Sequence, residues 1–174
     1  MLIKILVLLV IAVGALLAYV ATRPDTFRIE RTTRLAATPE NIFPLIASLR
    51  AFNSWNPFAK GDPAMQLTYR GPESGVGAAY NWTGGRSGSG DMSVTQVHAP
   101  SQVTMDLNFL KPMAANNKAV FTLRPVDGGT EVSWAMSGTN AFVHKLFGLV
   151  FNSDKMVGGE FAKGLADLKT LAES

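Results

Sequence analysis

Cysteine is absent from the 174-residue chain, which excludes disulfides, thiolate nucleophiles and cysteine-based metal sites in one step. Histidine is nearly absent too. The only two are His98 and His144, with no HxH, HxxxH or HExxH spacing, and a metal site needs three or four ligands with supporting partners. No metal and no cofactor is expected. Charge is sparse, with 16 Lys and Arg against 13 Asp and Glu for a net +3. The basic residues are scattered and not gathered into a block, whereas a nucleic-acid footprint needs them clustered on one face. No nucleic-acid partner is expected. The chain also lacks a G-x-S-x-G nucleophile elbow. Gly85-Arg-Ser-Gly-Ser-Gly is glycine-rich, yet it has no following lysine and no following helix, so it reads as a flexible turn and not a phosphate loop.

Hydrophobic residues, by contrast, make up 47% of the chain, enough for a real core. The longest apolar run is Leu2 to Ala21, LIKILVLLVIAVGALLAYVA, with Lys4 as its one charge. As a helix rising about 1.5 Å per residue it is about 30 Å long, the hydrocarbon thickness of a bilayer. Lys4 is near enough to the end to snorkel, and Tyr19 lies at the opposite interface. A buried core helix would need a polar face, and Ile5 to Val20 has none. A cleaved signal peptide needs small residues at positions −3 and −1. Cutting after Ala21 puts Tyr19 at −3, and cutting after Val20 leaves a β-branched residue at −1. The expectation is an uncleaved single-pass anchor over residues 1–22. A linker over 23–26 and one ligand-binding domain over 27–174 follow. Arg23, Arg28, Arg31 and Arg34 follow the run, but the last three fall on the first strand, so the membrane side of the domain stays open.

Phe27 to Leu35 alternates in the manner of a strand. Thr38 and Pro39 then mark a helix start, with Ile42, Leu45 and Ile46 at helical spacing. Asn53-Ser-Trp-Asn-Pro-Phe breaks regular structure around Pro57. From Met65 to Gly138 the pattern is a succession of antiparallel strands. Its stripes are Met65, Leu67 and Tyr69; Val76, Ala78, Tyr80 and Trp82; Met92, Val94 and Gln96; Val103, Met105, Leu107 and Phe109; Ala119, Phe121 and Leu123; and Val132, Trp134 and Met136. Asp127-Gly-Gly signals a hairpin between the last two. Finally Val157, Phe161, Leu165, Leu168 and Leu171 form a helical stripe, preceded by a short helical segment at Phe142, Leu146, Val150 and Phe151. Gly158-Gly159 predicts a kink or a close backbone contact.

An antiparallel sheet with one apolar face must cover that face, and only the terminal helix is large enough. The inward stripes are rich in methionine and polar-tipped aromatics, which suit an adaptable pocket. The candidates to line it are Trp55, Met65, Tyr69, Tyr80, Trp82, Met92, Met105, Leu107, Phe109, Phe121, Trp134, Met136 and Phe161. Asn53 and Asn56 are further candidates for its mouth. Asp91 and Glu160 are the carboxylates placed to act as acid or base if they face it.

Three segments carry a resemblance: Ala36-Ala-Thr-Pro-Glu-Asn-Ile-Phe, Trp55-Asn-Pro-Phe and Gly159-Glu-Phe-Ala-Lys-Gly-Leu-Ala-Asp-Leu-Lys. In this order and spacing they resemble the START-like, helix-grip superfamily (SRPBCC), specifically its polyketide cyclase/dehydrase and lipid-transport-like group, over about Phe27 to Ala172. The resemblance implies an α+β helix-grip fold, a seven-stranded antiparallel sheet curved around a long C-terminal helix. It further implies a tunnel for lipid-like or polycyclic small molecules. No single activity is implied, because binders, cyclases and transporters share the fold. Binding of a hydrophobic molecule near a membrane is the leading expectation. A cyclase- or dehydratase-like enzyme and a ligand-free interaction module remain the alternatives.

Overall fold

The structure, a computed structural model, describes residues 2–149 and 152–174. Helix α1 (Leu2–Ala21) precedes strand β1 (Thr26–Leu35), and three short helices follow: α2 (Pro39–Ala47), α3 (Leu49–Trp55) and α4 (Pro57–Lys60). Six strands come next, β2 (Gln66–Arg70), β3 (Ala79–Gly84), β4 (Gly88–His98), β5 (Gln102–Lys111), β6 (Ala115–Val126) and β7 (Gly129–Thr139). Helices α5 (Phe142–Phe147) and α6 (Ser153–Ala172) close the chain. The seven strands form one antiparallel sheet in the order β1-β7-β6-β5-β4-β3-β2. Consecutive hairpins run from β2 to β7, and β1 adds at the far edge beside β7. Helix α6 lies against β1 and β7, and α2, α3 and α4 fill the space beside it. This is the expected helix-grip arrangement.

Period-two alternation decides which residues face α6. On β1, Ile29 and Leu35 are buried while Arg28, Glu30 and Arg34 are exposed. On β7, Val132, Trp134 and Met136 are buried. On α6, Phe161, Leu165 and Leu168 sit in the core, but Leu171 is 44% exposed, because the inward face of the last turn is taken by Ala172, which packs against the core.

Several local expectations are corrected. Thr38 precedes α2 as expected, but its side chain makes no capping hydrogen bond. Its backbone oxygen accepts instead, from the N–H groups of Asn41 and Ile42. Around Pro57 the chain is helical on both sides. The break is confined to Asn56, whose side-chain oxygen accepts from Phe58 N–H at 3.2 Å and starts α4. Strand β3 begins at Ala79, not Val76, since Gly75 and Gly77 have φ of +80° and +90° and turn the chain out of the extended form. The glycine-rich turn is also shorter than expected, because Gly88 already begins β4. At Gly158 the prediction of a close contact holds, without a break in α6. A Cβ there would lie 2.1 Å from the Arg31 guanidinium, which crosses the helix to meet Asp154 at 2.9 Å. The expected helical role of Val150 and Phe151 lies outside the described residues.

Candidate ligand-binding site

The interior has two halves. Toward α2 and α3 it is filled by aromatic rings. Phe52 and Trp55 meet edge to face at 5.0 Å, and Phe121 and Trp134 lie within 6.0 Å of both. Toward β3, β4 and β5 the sheet curves away from α6 and leaves a cavity of about 390 Å³, within the range of small-molecule sites. Its walls are Met65 just before β2, Tyr80, Trp82, Met92, Leu107 and Phe109 from the sheet, Met136 and Trp134 from the β7 side, and Val157 and Phe161 from α6. Phe161 is held there by a stacked contact with Trp134, centroids 4.1 Å apart.

Four expected lining residues form no part of this wall, for identifiable reasons. Trp55 is fully buried, and its Nε1 donates to Leu45 O at 2.8 Å, tying α3 to α2. Phe121 lies under that cluster, opposite Trp134. Met105 is fully buried between Val94 and Ala119 of its neighbouring strands. Tyr69 belongs to the edge strand β2. Its ring lies 4.2 Å from the Arg50 guanidinium and its hydroxyl accepts from Asn53 Nδ2 at 3.2 Å. Conversely, Phe52, Phe58, Arg86, Ser87, Pro112, Ala119 and Val157 line the cavity without having been expected there. Phe58 carried a signal, as the last residue of the Trp-Asn-Pro-Phe segment. Ala119 carried one only as the smallest member of an inward stripe.

The polar groups near the cavity are few and mostly committed. Asn56 reaches the wall, and its Nδ2 donates to Asn53 Oδ1 at 3.0 Å, which links it through Asn53 to Tyr69. Asn53 itself is buried behind the wall. Burial pushes the Tyr80 phenol up, the neighbouring Tyr69 adds to the rise, and a hydrogen bond from Asn53 offsets part of it, so the hydroxyl is neutral at physiological pH. Asp91 and Glu160 both miss the cavity. Asp91 alternates to the outer face of β4 and accepts from Asn108 Nδ2 at 3.1 Å, and Glu160 pairs with Lys163 at 2.6 Å on the surface of α6. Among the described residues no group of three His, Cys, Asp or Glu side chains could hold a metal ion. His98 is exposed at the end of β4.

The mouth of the cavity is fixed by a buried carboxylate. Asp62 Oδ2 accepts the N–H groups of Arg86 and Ser87, both at 3.0 Å. These bonds, the Ser87 N–H foremost, hold its carboxyl below the usual aspartate range. The hairpin between β3 and β4 is thereby pinned over the opening. Trp82 Nε1 in turn donates to Ser87 O at 3.1 Å. Gly90 makes room for that indole, since a Cβ there would lie 2.4 Å from the ring.

A curved sheet, a gripped helix and an apolar hollow between them define a hydrophobic-ligand-binding fold. A family model for polyketide cyclase / dehydrase and lipid transport matches residues 26–173, and the chain belongs to that family. A search of the curated proteins returned no match. Among solved structures, protein CV1439 from Chromobacterium violaceum is 16% identical with a TM-score of 0.61, over 87% of this chain and 99% of that one. The Aha1 dimer from Colwellia psychrerythraea is 19% identical with a TM-score of 0.58, over 84% of this chain and 96% of that one. DynU16, a protein in the dynemicin biosynthetic locus, is 12% identical with a TM-score of 0.58. That match covers 87% of this chain but 48% of DynU16. At such identities these similarities speak for the fold alone.

Outside the family match stands α1. It is long and apolar enough to cross a membrane by length and composition, and only Val20 of its residues is buried.

Proposed function

We propose that this protein binds a hydrophobic or amphipathic small molecule, lipid-like or polycyclic, in the cavity between β3–β5 and α6, while α1 holds the domain on a membrane. The observation that carries the reading is the apolar hollow itself, open to one side. Its wall combines three methionines, two tryptophans and two phenylalanines of sheet and helix (Met65, Met92, Met136, Trp82, Trp134, Phe109, Phe161), a surface that conforms to a greasy ligand. Each methylene buried there contributes roughly 0.8 kcal/mol before ordering costs. The polar lining is limited to Asn56, Arg86, Ser87 and the Tyr80 hydroxyl, a set suited to orienting a ligand more than to transferring protons. Binding without chemistry is therefore favoured over a cyclase or dehydratase reaction. As a membrane anchor, α1 would place the cavity where apolar molecules are concentrated.

The test is native mass spectrometry of the full chain extracted in polymer-bounded membrane discs. One or more apolar molecules, bound stoichiometrically and displaced by a fluorescent fatty acid, are expected. A protein of bare polypeptide mass that takes up no fluorescent fatty acid would overturn the reading.

A further inference from the structure

Large apolar side chains are not evenly spread over the domain surface. Phe142, Val143, Leu146 and Phe147 of α5, Met156 at the start of α6 and Met113 between β5 and β6 are all exposed. Phe147 and Met156 reach 54% and 61% exposure. A second chamber of about 830 Å³ opens beside them. Met113 and Phe147 line it together with Phe27, Ile29, Met136 and Val157, and its rim is polar, with Arg23, Arg28, His144, Lys145 and Asp154. It therefore suits an amphipathic molecule that keeps a polar end at the rim. Met136 and Val157 belong to the walls of both this chamber and the main cavity. Two side chains thus stand between the ligand cavity and the exposed apolar patch.

The position of the patch is fixed by the chain's own anchor. Where α1 leaves toward β1, Asn140 N donates to Asp25 O at 2.7 Å and Asn140 Nδ2 donates to Pro24 O at 3.3 Å. Lys145 of α5, its side chain only 5% exposed, meets Asp25 at 2.5 Å. Helices α1 and α5 touch, and the Arg23 guanidinium lies 5.1 Å from the Tyr19 ring at the end of α1. The exposed face of α5 is therefore held at the level where a spanning α1 emerges from hydrocarbon. Aromatic and cationic side chains are favoured at that level.

We infer that α5 and the first turn of α6 rest in the interfacial layer of the bilayer that takes up α1. On this arrangement the second chamber is a lipid-facing vestibule, and amphipathic molecules pass from the membrane through it, past Met136 and Val157, into the main cavity. The inference rests on the membrane reading of α1 and on the cavity reading proposed above. A bilayer fits better than a soluble protein partner because the patch is continuous with a helix apolar on every side.

The absence of cysteine makes the test specific. Single variants Tyr19→Cys, Phe147→Cys, Met156→Cys and Leu171→Cys of the full chain are labelled with bimane and reconstituted into phosphatidylcholine–phosphatidylglycerol vesicles containing doxyl-labelled lipid. Leu171 is at the opposite end of α6, about 22 Å from Met156 at 1.5 Å per residue. Quenching at Tyr19, Phe147 and Met156, several-fold stronger than at Leu171, is expected. Quenching at Tyr19 with Phe147 no stronger than Leu171 would overturn the inference and leave the anchor standing. No quenching at any position would overturn both. A Phe147 label shielded in native membranes but unquenched in pure lipid would mark a protein partner and also overturn it. The entry route is tested with the Phe142→Asp/Phe147→Asp double variant and anthroyloxy-stearate. Transfer from vesicles should slow several-fold with equilibrium uptake unchanged, and an unchanged rate would overturn the vestibule. If the unsubstituted protein takes up none at all, it is the cavity reading that fails, whatever the quenching shows.

Discussion

The two halves of the interior share one sheet face lined by large apolar side chains, yet one is solid and the other hollow. Beneath α2 and α3, Phe121 and Trp134 of the sheet meet Phe52 and Trp55 of α3 edge to face. Under β3 to β5, Met65, Trp82, Met92 and Phe109 face empty space. The difference lies in what covers them. Two short helices insert their side chains over β6 and β7, while the other end is bordered by Phe52 and Asn56 at the end of α3, Phe58 of α4, Val157 and Phe161 of α6 and the pinned β3–β4 hairpin, which leave a gap. Apolar composition selects the inward face. The covering elements decide whether that face is filled.

The largest expected contrast is in stability. Phe121→Ala should cost about 3–5 kcal/mol, since its ring is fully enclosed and the site cannot collapse around the void. Met92→Ala, with part of its surface already against empty volume, should cost about 2 kcal/mol or less. Denaturant unfolding measures both, and equal losses would erase the distinction between the halves. A smaller contrast comes from adding volume. Ala47→Leu on α2 should destabilise by about 1–3 kcal/mol through overpacking. Ala119→Leu, directed into the hollow, should cost less than about 1 kcal/mol or stabilise the fold. If Ala119→Leu proves as costly as Ala47→Leu in thermal melts, the hollow is not available to a side chain.

The smallest effect concerns the hairpin over the mouth. The Asp62 carboxyl is held below its ordinary range by the Ser87 and Arg86 N–H groups. Its contribution is therefore complete above roughly 3.9, the free aspartate value, and is lost as pH falls through the lower folded value. Asp62→Asn should flatten this acid limb of the stability curve and leave neutral-pH ligand release faster. An unaltered acid limb would mean that the hairpin is not held by this group.

The sequence carried the sheet, its meander and the gripped helix clearly, because period-two stripes and one 3.6-residue stripe leave little freedom in which face is buried. The cavity wall was less legible. Tyr80, Trp82, Met92 and Phe109 line it, but Met105 and Phe121 occupy the same kind of inward strand position and do not, and Trp55 of α3 is packed away from it beside α2. An inward stripe is silent about whether a helix from elsewhere sits over it. Tyr69 was misplaced because an edge strand's side chain turned to Arg50 and Asn53. Arg86 and Ser87 could not be foreseen, as their position depends on Asp62, more than twenty residues away in sequence. Asp91 and Glu160 lie on segments that border the cavity, but alternation along β4 turns Asp91 to Asn108 and an ion pair with Lys163 keeps Glu160 on the surface of α6.

The most direct measurement is saturable energy transfer from the protein's tryptophans to anthroyloxy-stearate, compared between the unsubstituted full chain and Ala119→Phe in the same vesicles. Uptake into the lipid is common to both samples and cancels in the difference. A saturable signal that disappears in the Ala119→Phe protein, with its melting temperature maintained, is the predicted result. Equal signals from the two proteins would place the ligand somewhere other than the hollow beneath β3 to β5 and contradict the account.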